Sequence, residues 1–267
     1  MTSAPVAAER DYPQMIAEIN RVEPAPRRVR ATLAGEQVFD TTSARYVWEV
    51  PYYPQYYIPL DDIDARLLAD QEQEQPTRQG TARLHSLRAG GAERPGAVRV
   101  FGQDAIAGVS GTARFDWAAL DAWYEEDEQV FVHPRNPYAR VDALRSHRHV
   151  RASLKGITLA DTMAPVLVFE TGLPTRYYFD RTDVAFQHLV PSSTRTACPY
   201  KGATSEYWSV RVSGQVQDGH QDLAWAYDYP TRQLMPIAGL VAFYTEKVDI
   251  DVDGRRLPRP QTHFFAQ

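Results

Sequence analysis

RRVRATLAGEQVFDTTSARYVWEVPYYPQYYIPLDDI, residues 27–63, is followed 121 positions later by RHVRASLKGITLADTMAPVLVFETGLPTRYYFDRTDV, residues 148–184. The two stretches align without a gap, and 13 of the 37 pairs are identical. Gly35/Gly156, Asp40/Asp161, Thr41/Thr162, Glu49/Glu170, Tyr56/Tyr177, Tyr57/Tyr178 and Asp62/Asp183 are among them. A repeat of this length makes the chain a tandem of one domain. Further on, LDAWYEE (120–126) matches LVAFYTE (240–246) at an offset of 120, and we read this as the two copies realigning near their ends.

Each copy reads mainly as strands. VRATLAG and VRASLKG alternate and end in a glycine that suits a turn. RYVWEV and VLVFET are rich in β-branched and aromatic residues, as central strands are. YWSVRVSG alternates strictly, and so does KVDIDVDG, which stops at an Asp-Gly hairpin turn. SLRAGGAERPGAVRV in the first copy reads as a loop followed by a strand. Short helices are expected at 13–20, 61–71 and 116–126. The expected fold is mainly β: two tandem domains of antiparallel sheets with few short helices. The expected boundaries are an N-terminal extension at 1–26, a first domain at 27–131, a linker at 132–147 and a second domain at 148–267. Pro134 and Pro137 make that linker extended and stiff.

Composition narrows the function. The chain has 267 residues, is 43% hydrophobic and carries a net charge of −5. That is enough apolar material for two small cores, and no basic stripe suggests nucleic-acid binding. The single cysteine, Cys198, excludes an internal disulfide and a cysteine-rich zinc site. No secretory signal and no long apolar run is present, so the expected location is the cytoplasm, with no membrane partner.

TRTACPYKGATSEYWSV, LAWAYDYP, IAGLVAFYTEKVDIDVDG and FETGLPTRYYF resemble the domain-of-unknown-function 427 family. RVEPAPRRVR and YYIPLDDI in the first copy fit the same pattern, and the joint between the copies is similar to that of the family's tandem, bacterial members. The resemblance covers the chain from about Arg21 onward. It implies a β-tent-like fold, in which two antiparallel sheets lean together over a pocket. Many β-tent relatives hold zinc on four cysteines, which this chain lacks. Some classifications label the family nucleotidyltransferase-like, but no glycine-rich phosphate loop or pair of magnesium-binding carboxylates supports that here.

The candidate site lies in the second copy. Thr196 to Gly202 forms a sharp turn carrying Cys198 and Lys201. Such a lysine can anchor an anionic group, or form a Schiff base if burial lowers its pKa. It would also favour the Cys198 thiolate. The plainer reading makes Cys198 a small buried hydrophobe and Lys201 a surface residue. Aligning Gly80 with Gly202 places Pro76 opposite Cys198 and Gln79 opposite Lys201, so the first copy lacks both groups and reads as degenerate. Glu170 is a general base or an ion-pair partner, and its recurrence as Glu49 favours structure. Tyr178, Tyr200, Tyr207, Trp225 and Tyr227 are candidate walls for a small flat ligand, or else ordinary sheet core. His147 and His149 have spacing that can serve a metal but no third ligand, and Asp251 and Asp253 suit a hairpin better than calcium.

These readings predict a small-molecule binding protein or enzyme, without cofactor or metal. Lys201, Cys198 and Glu170 would be its reactive groups. The alternative is a non-catalytic module whose pocket reads a partner's side chain or a small ligand, as a cereblon-like β-tent does. On the first reading Lys201→Ala removes an anchor and barely moves the melting temperature.

Overall fold

The computed structural model describes residues 12–13, 17–262 and 265. The chain divides into two compact units between Pro137 and Tyr138. The second unit also takes in Tyr12 and Pro13. Tyr12 Oη donates to the Gln261 carbonyl at 2.9 Å, and the Gly172 N–H donates to the Pro13 carbonyl at 2.9 Å.

Both units have the same antiparallel topology. In the first, the large sheet runs Val22–Pro24, Arg45–Val47, Gln55–Pro59, Thr112–Phe115, Ala92–Phe101, Gly80–Ala89, Leu68–Thr77. In the second it runs Val141–Arg145, Val166–Glu170, Arg176–Phe179, Val241–Phe243, Ala224–Ala226, Glu206–Val212, Leu189–Ser192. A small sheet completes each unit. Its order is Glu36–Thr41, Val29–Leu33, Ala122–Glu125, Glu128–Val130 in one, and Ile157–Thr162, Val150–Leu154, Asp249–Val252, Arg255–Arg256 in the other. Apolar side chains from both sheets fill one core per unit, as leaning sheets require.

The identical residues of the repeat sit where local geometry leaves little choice. Ala34–Gly35 and Lys155–Gly156 are two-residue hairpin turns with positive φ at both positions, where glycine avoids a Cβ clash. Thr41 Oγ1 donates to Asp62 at 2.5 Å, and Thr162 Oγ1 donates to Asp183 at 2.5 Å. Each threonine hydroxyl also receives a backbone N–H two residues on, which fixes the exit from its strand.

Several expectations are revised. Residues 14–16 of the expected 13–20 helix lie outside the described residues, and the described remainder is not helical. In place of the other two short helices stand three 3-10 turns, Leu60–Asp62 and Ala65–Leu67 near 61–71 and Trp117–Ala119 within 116–126. The segment read as a loop followed by a strand belongs to a hairpin of two ten-residue strands, in which the expected strand is present and the expected loop is reduced to a tight turn at Gly90 and Gly91, both with positive φ. Pro95 and Gly96 are absorbed by a bulge rather than breaking the strand. Part of the segment read as a linker, Val141–Arg145, is the edge strand of the second large sheet. Val22–Pro24, in the segment read as an extension, has the same place in the first.

The realignment of LDAWYEE with LVAFYTE is overturned by pairing. Ala122–Glu125 pairs with Val29–Leu33 in the small sheet, whereas Val241–Phe243 pairs with Arg176–Phe179 in the large one. Register instead matches Glu125 with Val252 and Phe115 with Phe243.

Thr162→Val should lower the unfolding free energy by about 1–3 kcal/mol, because it leaves a part-buried Asp183 oxygen without its donor. Denaturant melts followed by circular dichroism measure this, and an unchanged midpoint would count against the account.

Candidate functional site

The outer face of the second large sheet carries most of the predicted residues. Cross-strand pairing sets Tyr207, Trp225, Ala242, Tyr178 and Val166 in one transverse row over five strands. Directly paired residues share a face of the sheet. Tyr227, Leu234 and Ile237 join this row in a second buried cluster, separate from the core between the sheets. Glu170 ends the Val166–Glu170 strand, two residues beyond the buried Val168.

A small hairpin holds the turn. Ala197–Cys198 pairs with Gly202–Ala203, and Pro199, Tyr200 and Lys201 form the tip. Gly202 has a φ of +95°, which favours glycine at the exit. The Thr231 N–H donates to the Lys201 carbonyl at 3.0 Å, and Thr231 Oγ1 donates to the Tyr200 carbonyl. Thr204 Oγ1 accepts the Thr196 N–H at 2.9 Å and donates to the Thr196 carbonyl at 3.0 Å, closing the base.

The tip delivers Lys201 to Glu170. Lys201 Nζ donates to Glu170 Oε2, with both side chains 8% exposed, and lies 3.8 Å from Cys198 Sγ. Burial alone would depress an ammonium pKa, but the Glu170 carboxylate, joined by Cys198 and Tyr178 once they ionise, outweighs it and holds Lys201 above the ordinary lysine range. Burial pushes the Cys198 thiol up; Lys201 opposes this, and Glu170 adds to it. Burial also raises Tyr178 to about 12, against the pull of Lys201. The Tyr178 hydroxyl is fully buried; the Trp225 ring N–H is the one hydrogen-bonding group beside it, and its own proton has no acceptor.

Two chemical expectations change as a result. The thiol is disfavoured as thiolate, because burial and a facing carboxylate outweigh one cation. The amine is held as an ammonium, which suits anchoring and hydrogen-bond donation and opposes imine formation. Lys201, Cys198, Glu170, Tyr178 and Tyr227 form one electrostatically coupled group, while Tyr207 and Trp225 continue the row beside it. Tyr207, Trp225 and Tyr227 are packed at 6% exposure or less. Tyr200 lies half-buried on the tip.

The first copy answers the same positions differently. Gln79 sits at its hairpin tip just before Gly80, and its carbonyl accepts the Ile106 N–H at 2.9 Å, as the Lys201 carbonyl accepts that of Thr231. Gln79 is therefore the counterpart of Lys201. Thr77, not Pro76, pairs with Gly80 as Cys198 pairs with Gly202. Glu49 accepts from Tyr57 Oη at 3.0 Å and from Arg114 Nε at 3.1 Å. The glutamate keeps a cation in both copies, supplied by a strand in one and by the hairpin tip in the other.

Among the described residues, no group of three His, Cys, Asp or Glu side chains could hold a metal, and no helix is long and apolar enough to cross a membrane. His149 Nε2 bonds Asp161 at 2.5 Å, and His147 is exposed. Asp251 pairs with Arg256 and Asp253 with Arg148 around the Asp253–Gly254 turn.

The sequence reading missed a second buried ion pair. Arg176 donates bidentately to Glu246 at 2.5 and 2.6 Å and to Thr245 Oγ1 at 2.7 Å, and Thr262 Oγ1 donates to Glu246 at 2.8 Å. The faulty end alignment matched Glu246 with Glu126 and so hid it as a repeated residue. Arg176 replacing Gln55 in an otherwise matched strand was the available signal.

A family model described as Domain of unknown function (DUF427) matches residues 21–126 and again 142–254. The chain belongs to the DUF427 family. Its two matched segments correspond to the two sheet pairs, so it is a tandem DUF427 protein. No curated protein matches it.

Lys201→Ala should destabilise the second unit by about 3–5 kcal/mol, since it strands a buried carboxylate. This replaces the expectation of an unchanged melting temperature. Adding Glu170→Leu should restore most of the loss in a double-mutant cycle. A single mutant that melts like wild type would show that the pair is not formed.

Proposed function

We propose that the second DUF427 unit binds a small molecule at the Lys201–Glu170–Cys198–Tyr178 cluster, with Lys201 as a charged anchor. The carrying observation is the Tyr178 hydroxyl, which has the Trp225 ring N–H as a donor beside it but no acceptor for its own proton, next to a buried ammonium. Buried polar groups are nearly always paired, and an unpaired one costs about 1–3 kcal/mol. Its first-copy counterpart Tyr57 is paired with Glu49. The ligand class this favours is a hydrogen-bond acceptor such as a carboxylate or carbonyl, taking the phenol proton and an N–H of Lys201. Glu170 is the counter-ion that keeps Lys201 protonated. Cys198 is a neutral thiol at the edge of the site. Access requires the 199–201 tip to lift, and each arm of its hairpin is only two residues long.

A second reading is supported by Tyr229, which is 90% exposed on the loop that holds the tip. An aromatic there suits contact with a partner protein, and the tip would then respond to that partner.

Tyr178→Phe separates function from stability. Removing a hydroxyl whose proton has no acceptor should change the melting temperature little, and should weaken acceptor-bearing hits from a thermal-shift screen by about tenfold or more, near 1.4 kcal/mol. Tyr57→Phe should lower stability instead, because Glu49 loses a donor. If Tyr178→Phe destabilises as much as Tyr57→Phe, the hydroxyl is paired and the proposed site is empty of purpose.

A further inference from the structure

The inner side of the second unit holds a different feature. A solvent-open groove with a cavity volume of about 50 Å³ lies between its two sheets, lined among others by Tyr177, Thr245, Ile250, Pro174, Pro258 and Pro260. It does not include the Lys201 cluster. Strand register gives each of those three wall residues a partner in the first copy. Tyr177 corresponds to Tyr56 within the ungapped repeat. Ile250 corresponds to Trp123, since both sit opposite matched alanines, Ala152 and Ala31. Thr245 corresponds to Trp117, each lying two residues past the matched Phe243 and Phe115.

Those three first-copy residues form one aromatic stack. Trp117 lies on Trp123 with centroids 4.5 Å apart and an interplanar angle of 8°. Tyr56 stacks with Trp123 at 5.9 Å and with Trp117 at 6.4 Å. The first copy thus fills with its own indoles the place where the second copy has a threonine, an isoleucine and a groove. The frame around it is the same in both: a tyrosine on the large sheet, a turn after its fourth strand, and a central strand of the small sheet.

We infer that the second unit's inner groove is a binding site for a flat aromatic group of indole size, which takes the place that Trp117 occupies in the first unit. Tyr177 supplies the stacking face, as Tyr56 does for Trp117 and Trp123. Ile250 and the lining prolines supply apolar contact. Thr245 Oγ1 lies at the wall, already accepting from Arg176 at 2.7 Å, which fixes the side chain that leaves the space. This site is independent of the Lys201 cluster and stands or falls without it.

The probe is 5-fluoroindole, titrated into the full chain and read by ¹⁹F NMR. Saturable broadening or shift is expected with wild type. Thr245→Trp should abolish it by filling the groove from within, and Ile250→Trp should do the same if Thr245→Trp does not fold. Hydrogen exchange with saturating probe should protect segments around residues 248–250 and 257. Lys201→Arg should leave binding unchanged. No binding to wild type would overturn the inference. So would binding that survives a folded Thr245→Trp or Ile250→Trp, or protection confined to residues outside the groove. Equal binding of cyclohexylmethanol would overturn the claim that the site selects a flat aromatic group.

Discussion

Glu170 ends its strand and Glu49 lies two residues past the matching one, at equivalent positions of the two copies, and a carboxylate removed from water needs a cation and hydrogen bonds nearby. Much of the outer face in each unit follows from how that need is met. In the second unit the cation comes from a hairpin tip, so the hairpin must fold back over the sheet and be held there by Thr231 and Thr204. Aromatic residues can then line the sheet beneath it, because no strand position is needed for a counter-charge: Trp225 and Ala242 stand where the first unit has Arg99 and Arg114. In the first unit Arg114 neutralises Glu49 from within the sheet and shares Asp116 with Arg99.

The chemical character of the two faces differs accordingly. The first unit satisfies its tyrosine with the glutamate and leaves Gln79 to bond Asn20 at 2.8 Å. The second commits its glutamate to a lysine and leaves the tyrosine hydroxyl beside the Trp225 ring N–H, with no acceptor for its proton. The inner faces show the reverse distribution. There the first unit is filled by stacked aromatics, with Tyr56 bonded to the buried Glu125, while the second has smaller side chains and a groove. Calling the first copy degenerate describes its hairpin tip and misses its interior.

The repeat, the strand assignments and the turn glycines were legible because they depend on local rules: alternation, β-branching, and positive φ at Gly35 and Gly156. Lys201 and Cys198 stood out in the sequence because the first copy lacks both, whereas Glu170 and Tyr178 recur as Glu49 and Tyr57, so that their gathering around the lysine was not visible from the comparison of copies. Less was visible where contacts are non-local. A seven-residue likeness at the chain ends equated strands of different sheets, since side-chain pattern does not encode which neighbour a strand pairs with. The Arg176–Glu246 pair lies 70 positions apart in sequence, and no spacing rule joins its members. The direction of the thiol pKa depended on burial and on a carboxylate from another strand, neither of which the turn sequence contains.

The central claim is that Lys201 is a buried, permanently charged group held by Glu170. The chain has three lysines, Lys155, Lys201 and Lys247, so their side-chain signals can be assigned individually by ¹³C NMR. A lysine whose folded pKa is raised contributes stability that is full below the unfolded value of about 10.4 and is lost as pH rises through the folded value. The account predicts that the Lys201 Cε signal stays that of an ammonium through about pH 11, past the ordinary lysine value. A Lys201 signal that titrates at or below that ordinary value would show an unpaired or neutral amine and contradict the account.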